Sequence, residues 1–335
     1  MSTQQNVPEK IRVSVGSAII LGLLKGKIDA PPTTVYMLTY REGKCQANCG
    51  FCPQARTSTS RADMLARVTW PPFATTQVIE KIASHTENDT VKRVCIQALN
   101  YPNVFDDLLH LTKLIHSGSS VPISISCPPL NKTQLQRLAK AGVDRISIAL
   151  DAATEQLFNK VKGAETKSPY QWKQQHQALQ KAIEVFGKNQ VYTHLIVGLG
   201  ETEKEITETI QNCVDNGIQP SLFAFTPIPG TTLENQQQPQ IETYRRIQLA
   251  RHLIVRNKTR IQNMKFDNEG RITHFGVPKV QIKETISDGI PFCTSGCPEC
   301  NRPYYNERPG GPMYNYPKQP SNEEINKIIK SLNEG

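Results

Sequence analysis

Residues 34–54 read TVYMLTYREGKCQANCGFCPQ. The first seven, Thr34 to Tyr40, are rich in β-branched and aromatic residues and read as a buried strand. Three cysteines follow it at once, Cys45, Cys49 and Cys52, in the spacing C-x3-C-x2-C. Three thiolates this close together suit an iron–sulfur cube and leave its fourth iron without a cysteine from the motif. A tetrahedral zinc would want a fourth protein ligand, and no second C-x2-C or H-x3-H pair stands near. An iron with an open site is a place for a small molecule to bind and react.

The same spacing returns far downstream, as Cys293, Cys297 and Cys300 in FCTSGCPECNRP. Its possible readings are a second cluster, serving as electron conduit, substrate anchor or sulfur donor, and a structural zinc knuckle. A disulfide framework would fit a small secreted chain, whereas this one has 335 residues. Residues 1–14 carry no apolar run, and Ala18 to Leu24 is interrupted by Gly22 and too short to span a bilayer. The expectation is a cytoplasmic protein with reduced thiols and no membrane partner.

Hydrophobic residues make up 38% of the chain and charged residues 21%, which fits a globular enzyme and excludes a disordered chain. The net charge of +9 admits a solvated surface, a nucleic-acid footprint or a docking face for an acidic protein. No Lys/Arg run is long enough for a nucleic-acid patch; Arg245-Arg246 is typical of what is there.

Outward from the first strand, strand-like runs recur at Arg93–Gln97, Ile123–Cys127, Arg145–Leu150, Val191–Val197 and Ser221–Pro227. Helical patterns alternate with them at Thr76–His85, Asp106–His116, Asn131–Ala141, Tyr170–Phe186 and Glu203–Asn216. Such alternation predicts βα units, a parallel sheet and an α/β fold, an incomplete (β/α)6 TIM-like barrel. The expected organisation is an N-terminal helical extension over 1–30 and the barrel over 31–235. A barrel-associated region over 236–290 and a cysteine-rich cluster segment over 291–335 follow. The last has little periodicity and is expected to lack a core of its own and to be held by metal.

Chemistry in such folds gathers at the carboxyl ends of the strands. There the sequence places Cys45–Cys52, Gln97–Asn100, Cys127, Asp151, Gly198–Glu201 and Thr226–Gly230.

The first cysteine motif, with Phe51 just before its last cysteine, resembles that of radical S-adenosylmethionine (SAM) enzymes. Within them, Tyr36 to Arg260 is similar to biotin synthase, through Cys52-Pro-Gln54 and Ile196-Val-Gly-Leu-Gly-Glu-Thr202. The resemblance implies that Cys45, Cys49 and Cys52 bind a 4Fe–4S cluster whose remaining iron is chelated by SAM. One-electron reduction then yields a 5′-deoxyadenosyl radical that abstracts hydrogen from substrate. It also implies cofactor contacts from Phe51, Gln97, Asn100, Asp151, Gly198 and Glu201. Two departures stand out: the Gly-Gly-Glu turn of many relatives is not spelled out at Gln97–Asn100, and His194 stands where glycine is usual.

Biotin synthases hold an inner 2Fe–2S cluster on three cysteines and an arginine. Cys95, Cys127 and Arg260 resemble three of those ligands, but Val191-Tyr-Thr193 lacks the third cysteine. Packing as small buried residues is the other reading of Cys95 and Cys127, and Cys213 in a helical pattern reads as structural. In the tail, Arg302, Tyr304, Tyr305 and Arg308 would cover a cluster or grip a substrate carbonyl, or else belong to a surface interaction tail.

A biotin-synthase-like barrel with this tail resembles the components of the two-protein lipoyl synthases. That resemblance implies two 4Fe–4S clusters, with Cys293, Cys297 and Cys300 binding the sulfur source. It implies SAM, an octanoyl-lysine substrate on an acidic lipoyl-carrier protein, a second radical SAM component, and an electron donor such as ferredoxin or flavodoxin. No catalytic side chain beyond the cluster ligands is assigned. Biotin synthase, a tRNA sulfur-insertion enzyme and a two-cluster electron carrier are the alternatives. The tRNA enzymes carry a leading cysteine domain and a trailing RNA-binding β-barrel that this sequence does not show.

Overall fold

The computed structural model describes residues 8–307 and 310–334. The chain begins with β1 (Lys10–Val13), α1 (Val15–Ile20) and β2 (Thr34–Thr39). A short hairpin follows, β3 (Met64–Leu65) and β4 (Val68–Thr69), then β5 (Pro72–Ala74). The βα units are α2 (Thr75–Glu87), β6 (Arg93–Gln97), α3 (Val104–Gly118), β7 (Ile123–Ser126), α4 (Lys132–Lys140) and β8 (Val143–Ser147). They continue through α5 (Glu155–Val161), α6 (Trp172–Phe186), β9 (Val191–Val197), α7 (Glu203–Asp215) and β10 (Ile218–Ala224). Then come α8 (Ile241–Val255), the ribbon β11 (Lys265–Phe266) and β12 (Ile272–His274), α9 (Lys279–Ile286) and α10 (Asn322–Glu334).

The main sheet runs β10-β9-β8-β7-β6-β2-β1-β5. From β2 to β10 all pairings are parallel, and β1 pairs antiparallel with both β2 and β5. The parallel strands are largely buried: all six residues of β2 are, and β7 alternates Ile123 and Ile125 with Ser124 and Ser126. One cavity is lined by Tyr36, Cys95, Ser124, Ile146, Tyr192 and Phe223, a residue from each of the six parallel strands. The sheet is therefore wrapped around a lumen, as an incomplete (β/α)6 barrel.

Local chemistry fixes the helix starts. Asn131 and Thr202 each form a reciprocal capping box, with Gln134 and Glu205. α7 is tied to α8 by a buried bidentate pair, Glu203 with Arg246, at 2.5 Å.

The structure departs from the sequence reading in four places. The preamble is not wholly helical: Ile11 and Val13 are buried at strand spacing in β1, and α1 starts only at Val15, capped by Ser14. β8 begins two residues early and its continuation bulges at Ala149–Leu150. There the Thr193 hydroxyl takes the Leu150 N–H and donates to the Ile148 carbonyl. β10 begins three residues before Ser221.

The tail, the fourth departure, is packed into an apolar core that it shares with the region before it. Phe292 is fully buried with Leu249, Leu253, Val277, Ile286 and Ile328, so α8, α9 and α10 enclose it. The tail also completes the barrel. Pro298–Asn301 lies under the strands' amino ends, with the Thr33 and Thr34 hydroxyls donating to the Glu299 carbonyl at 2.6 and 2.8 Å. Arg93 donates to the Pro298 carbonyl at 3.0 Å. Residues 302–307 then climb the seam between β2 and β10. The Arg302 N–H donates to the Tyr36 hydroxyl at 2.9 Å, and its guanidinium lies 3.8 Å from the Phe223 ring. Tyr305 packs at 5.3 Å on Tyr36 and 5.9 Å on Trp70, and the Thr226 hydroxyl donates to the Asn306 carbonyl.

Candidate active site

The first cysteine loop leaves the carboxyl end of β2 and folds back on itself. Cys45 N–H donates to the Gln54 carbonyl and Cys52 N–H to the Cys49 carbonyl, both at 3.0 Å. Gly50 anchors it outside, donating to the Val161 carbonyl and accepting from Leu233 N–H. The Asn100 N–H points at Cys45 Sγ at 3.1 Å. Cys45, Cys49 and Cys52 all line one cavity of about 170 Å³ at the upper end of the lumen, with Asp151, Lys162 and Tyr170.

Electrostatics at this end fit an anionic metal cluster. Burial pushes the Cys49 thiol well up and the Cys52 thiol up to about 12; neighbouring cysteines add to both rises, and Lys162 opposes that of Cys49. Such thiols become thiolates only beside compensating positive charge, as a metal supplies. Two buried amide oxygens on the cavity wall, Gln54 Oε1 and Gln175 Oε1, have no hydrogen-bond partner and stand ready for a ligand's donors. Among the described residues no three His, Cys, Asp or Glu side chains are placed to hold a single metal ion. Donors to a cube stand at its corners, further apart than the thiolates of one tetrahedral zinc.

The strand-end residues meet these thiols in different ways. Gln97 and Phe51 line the cavity, and so does Asp151, which the bulge after β8 holds at φ +66°. Its carboxylate pairs with Lys162 at 2.6 Å. Asn100 contributes the backbone contact to Cys45. Glu201 instead turns on its own loop, accepting the N–H groups of Gly198, Leu199 and Gly200 at 2.6, 3.0 and 3.1 Å. It shapes the turn in which Gly198 takes φ +101°, and neither residue lines the cavity. Lys162 and Tyr170 escaped the sequence reading; a lysine just past α5 gives no signal until the bulge points Asp151 at it.

A second cavity of about 150 Å³ adjoins the first, sharing Phe51, Cys52, Gln97, Asp151 and His194, and is walled by Leu65, Ile196, Phe223, Phe225 and Ile228. His194 also faces the lower lumen. Burial lowers its pKa to about 4, so it is neutral near pH 7. One ring nitrogen lies 3.1 Å from the Ser147 hydroxyl.

The second cysteine motif lies at the opposite, lower end. Cys297 and Cys300 line a cavity of about 50 Å³ with Cys95, Tyr36 and Arg302. After burial, the charges that raise the Cys95 thiol to about 12 are those of Cys297 and Cys300. Cys293 does not join them. Its thiol faces the Gly289 and Lys318 carbonyls at 3.7 and 3.6 Å and lines an outer groove.

Nor does the structure bring Cys95, Cys127 and Arg260 together. Cys127 lines the upper cavity, and Arg260 pairs with Asp215 at 2.7 Å on the surface. Cys213 is buried in α7. Tyr304 lines a side pocket with Tyr305, and Arg308 lies outside the described residues.

A six-stranded partial barrel with a three-thiol loop after its first parallel strand defines a class of barrel built to seat a metal cluster. The model of the Radical SAM superfamily matches residues 43–213, so the chain belongs to that superfamily. Its members are enzymes that use a 4Fe–4S cluster and SAM. The chain is 22% identical over 204 residues to biotin synthase of Corynebacterium glutamicum strain R, covering 60% of this chain and 57% of that one. It is 27% identical over 177 residues to an uncharacterized protein of Methanocaldococcus jannaschii, covering 50% and 43%. The chain thus spans about half the length of the curated relatives it matches. Among solved structures, it superposes on methylornithine synthase with TM-score 0.52 at 14% identity, covering 67% and 62%. It superposes on the FeFe-hydrogenase maturase of Carboxydothermus hydrogenoformans with TM-score 0.53 at 15% identity, covering 68% and 53%. These two likenesses are of fold. Among the described residues no helix is long and apolar enough to cross a membrane.

Proposed function

We propose that this radical SAM enzyme inserts sulfur, as one component of a two-protein lipoyl synthase acting on an octanoyl-lysine of a carrier protein. The observation that carries the reading is the placement of thiol groups at both ends of one lumen, with Gln97 and His194 facing upper and lower cavities alike. In this reading Cys45, Cys49 and Cys52 hold the SAM-coupled cluster, which supplies a 5′-deoxyadenosyl radical when reduced by a donor such as ferredoxin or flavodoxin. Cys297 and Cys300 of the tail help to hold a second cluster as sulfur source.

The chain's own residues supply position and shelter. Gln54 and Gln175 offer acceptors beside the thiols, Asp151 is held to the cavity by Lys162, and Phe51 lines both upper cavities. The apolar walls Leu65, Ile196, Phe225 and Ile228 suit a short hydrocarbon chain and exclude water. The tail closes the seam beside them.

Biotin synthase is the second reading, favoured by the Corynebacterium relative. The separation of Cys95 from Cys127, and of Arg260 from both, speaks against that enzyme's inner cluster. The deciding experiment incubates anaerobically reconstituted protein with SAM, reductant and an octanoyl-lysine peptide, and weighs the product. A single added sulfur supports the proposal. Two sulfurs from this chain alone, or conversion of dethiobiotin with none of the peptide, refutes it.

A further inference from the structure

We infer that the second cluster is held by Cys95 of β6 together with Cys297 and Cys300 of the tail, and that Cys293 lies outside it. This rests on the reading that the chain carries a second cluster, and it replaces the donor set that the repeated spacing would choose. The repeat puts Cys293 with Cys297 and Cys300; the fold separates them.

The separation has a local cause. Cys293 follows a helical turn at Ile290–Phe292 whose Phe292 is fully buried against Leu249 and Leu253 of α8 and Ile286 of α9. An isolated bridge from Cys293 to Tyr316 fixes the backbone there. With Phe292 turned inward, the Cys293 thiol faces the outer groove beside Arg251 and His252. The chain then passes beneath the barrel, and the Ser295 hydroxyl accepts the Leu222 N–H at 2.8 Å. Only beyond that point do thiols enter the lumen.

Inside it, three observations point to an anionic ligand. Cys95 is a strand residue between Tyr36 and Ser124 in register, so its side chain faces the lumen floor where Cys297 and Cys300 rise. The Arg302 guanidinium is more than nine-tenths buried beside these thiols, donates one Nη to the Ser295 carbonyl at 2.6 Å, and leaves Nε without a partner. A buried cation with an unused donor beside three thiols is what an anionic cluster would satisfy. Finally, a Cβ on Gly296 would stand 2.9 Å from Cys300 Sγ, so glycine lets the loop lie close enough for that thiol to reach inward. The Tyr36 hydroxyl, 3.4 Å from Cys300 Sγ, is a further hydrogen bond available to a cluster sulfur.

The test counts iron and sulfide in a background where the first site is removed by Cys45→Ser, Cys49→Ser and Cys52→Ser together. Anaerobic reconstitution of that full chain should leave about four irons and four sulfides per chain. Adding Cys95→Ser should empty the site, and adding Cys293→Ser should leave it filled. Loss with Cys293→Ser, retention with Cys95→Ser, or one zinc without sulfide overturns the assignment. A second measurement needs no substitution: iodoacetamide labelling before and after iron is chelated from the reconstituted wild-type protein. Labelling should rise at Cys95, Cys297 and Cys300 and stay constant at Cys293; a rise at Cys293 with none at Cys95 overturns it. Both readouts are independent of substrate, so a protein that adds no sulfur to octanoyl-lysine still reports its donors.

Discussion

Lys162 Nζ lies 2.6 Å from Asp151 Oδ2 and 2.6 Å from the Ala149 carbonyl, and both charged side chains are buried. One lysine therefore holds the bulge and the carboxylate that the bulge aims at the upper cavity. Lys162→Met should destabilise the metal-free protein by about 3–5 kcal/mol, because it strands a buried carboxylate. Lys162→Met with Asp151→Leu should recover much of that loss. Urea denaturation of the three proteins measures both effects.

The thiols of the upper loop belong to one site. Any of Cys45→Ala, Cys49→Ala or Cys52→Ala should abolish 5′-deoxyadenosine formation from SAM under reductant and lower reconstituted iron by about four per chain. Chromatography of the nucleoside and iron analysis of the same samples check it. Undiminished cleavage would show that the loop is not the cluster site.

Gly230 sits at φ +81°, and a Cβ there would meet Ser60 N at 2.5 Å. Its carbonyl accepts from Thr59 N–H and the Ser58 hydroxyl, clamping the segment that follows the cysteine loop. Gly230→Ala should cost on the order of 2 kcal/mol from positive φ and the clash together. It should also speed iron loss on chelation, whereas Gly310→Ala, at φ +78° with open space around it, should not.

His194, with its pKa lowered to about 4, refuses a proton that the unfolded chain accepts below its ordinary value near 6.5. The folded state then binds fewer protons, so stability falls as pH drops from about 6.5 toward 4 and is insensitive to this group above that window. At its fullest the loss is about 3 kcal/mol. In His194→Gln that part of the slope should vanish, read as the difference between two curves of unfolding free energy against pH.

If the carrier-protein reading holds, an intact acidic carrier domain should react faster than a short octanoyl-lysine peptide, and the advantage should shrink between 50 and 500 mM salt. A salt-independent preference would place recognition in apolar contacts instead. Arg245 and Arg246 contribute nothing to such a surface. Arg245 is only 2% exposed, with one Nη donating to the Tyr314 carbonyl at 2.7 Å, and Arg246 is consumed by Glu203.

β2 and β9 were legible because burial favours β-branched and aromatic residues there, Thr34, Val35 and Tyr36 in one and Val191, Tyr192 and Thr193 in the other. β1 was not, since Ile11 and Val13 sit among charges and look like the start of the helix that follows. The strand-end rule names Gln97 and Asp151, which line the upper cavity, and Glu201, whose carboxylate accepts from its own turn. Sequence spacing grouped Cys293 with Cys297 and Cys300 because a one-dimensional repeat carries no sign of where Phe292 buries. Arg260 had a role only by resemblance, and a pairing with Asp215 45 residues earlier takes it to the surface. Arg302 read as tail chemistry; its place in the lumen depends on the whole tail path.

The tail's path also makes the two ends of the chain a single kinetic unit. Thr33 and Glu299, 266 residues apart, share a hydrogen bond at the barrel floor, and Tyr36 meets Arg302 across the same span. Contacts this remote in sequence carry a large loop-closure entropy and form late. The βα units can condense locally as they are synthesised, but the floor and seam must wait for residues 298–306. Refolding should therefore show a fast phase that builds secondary structure and a slow one that buries Tyr36 and Tyr305, and a chain cut before residue 298 should lack the second.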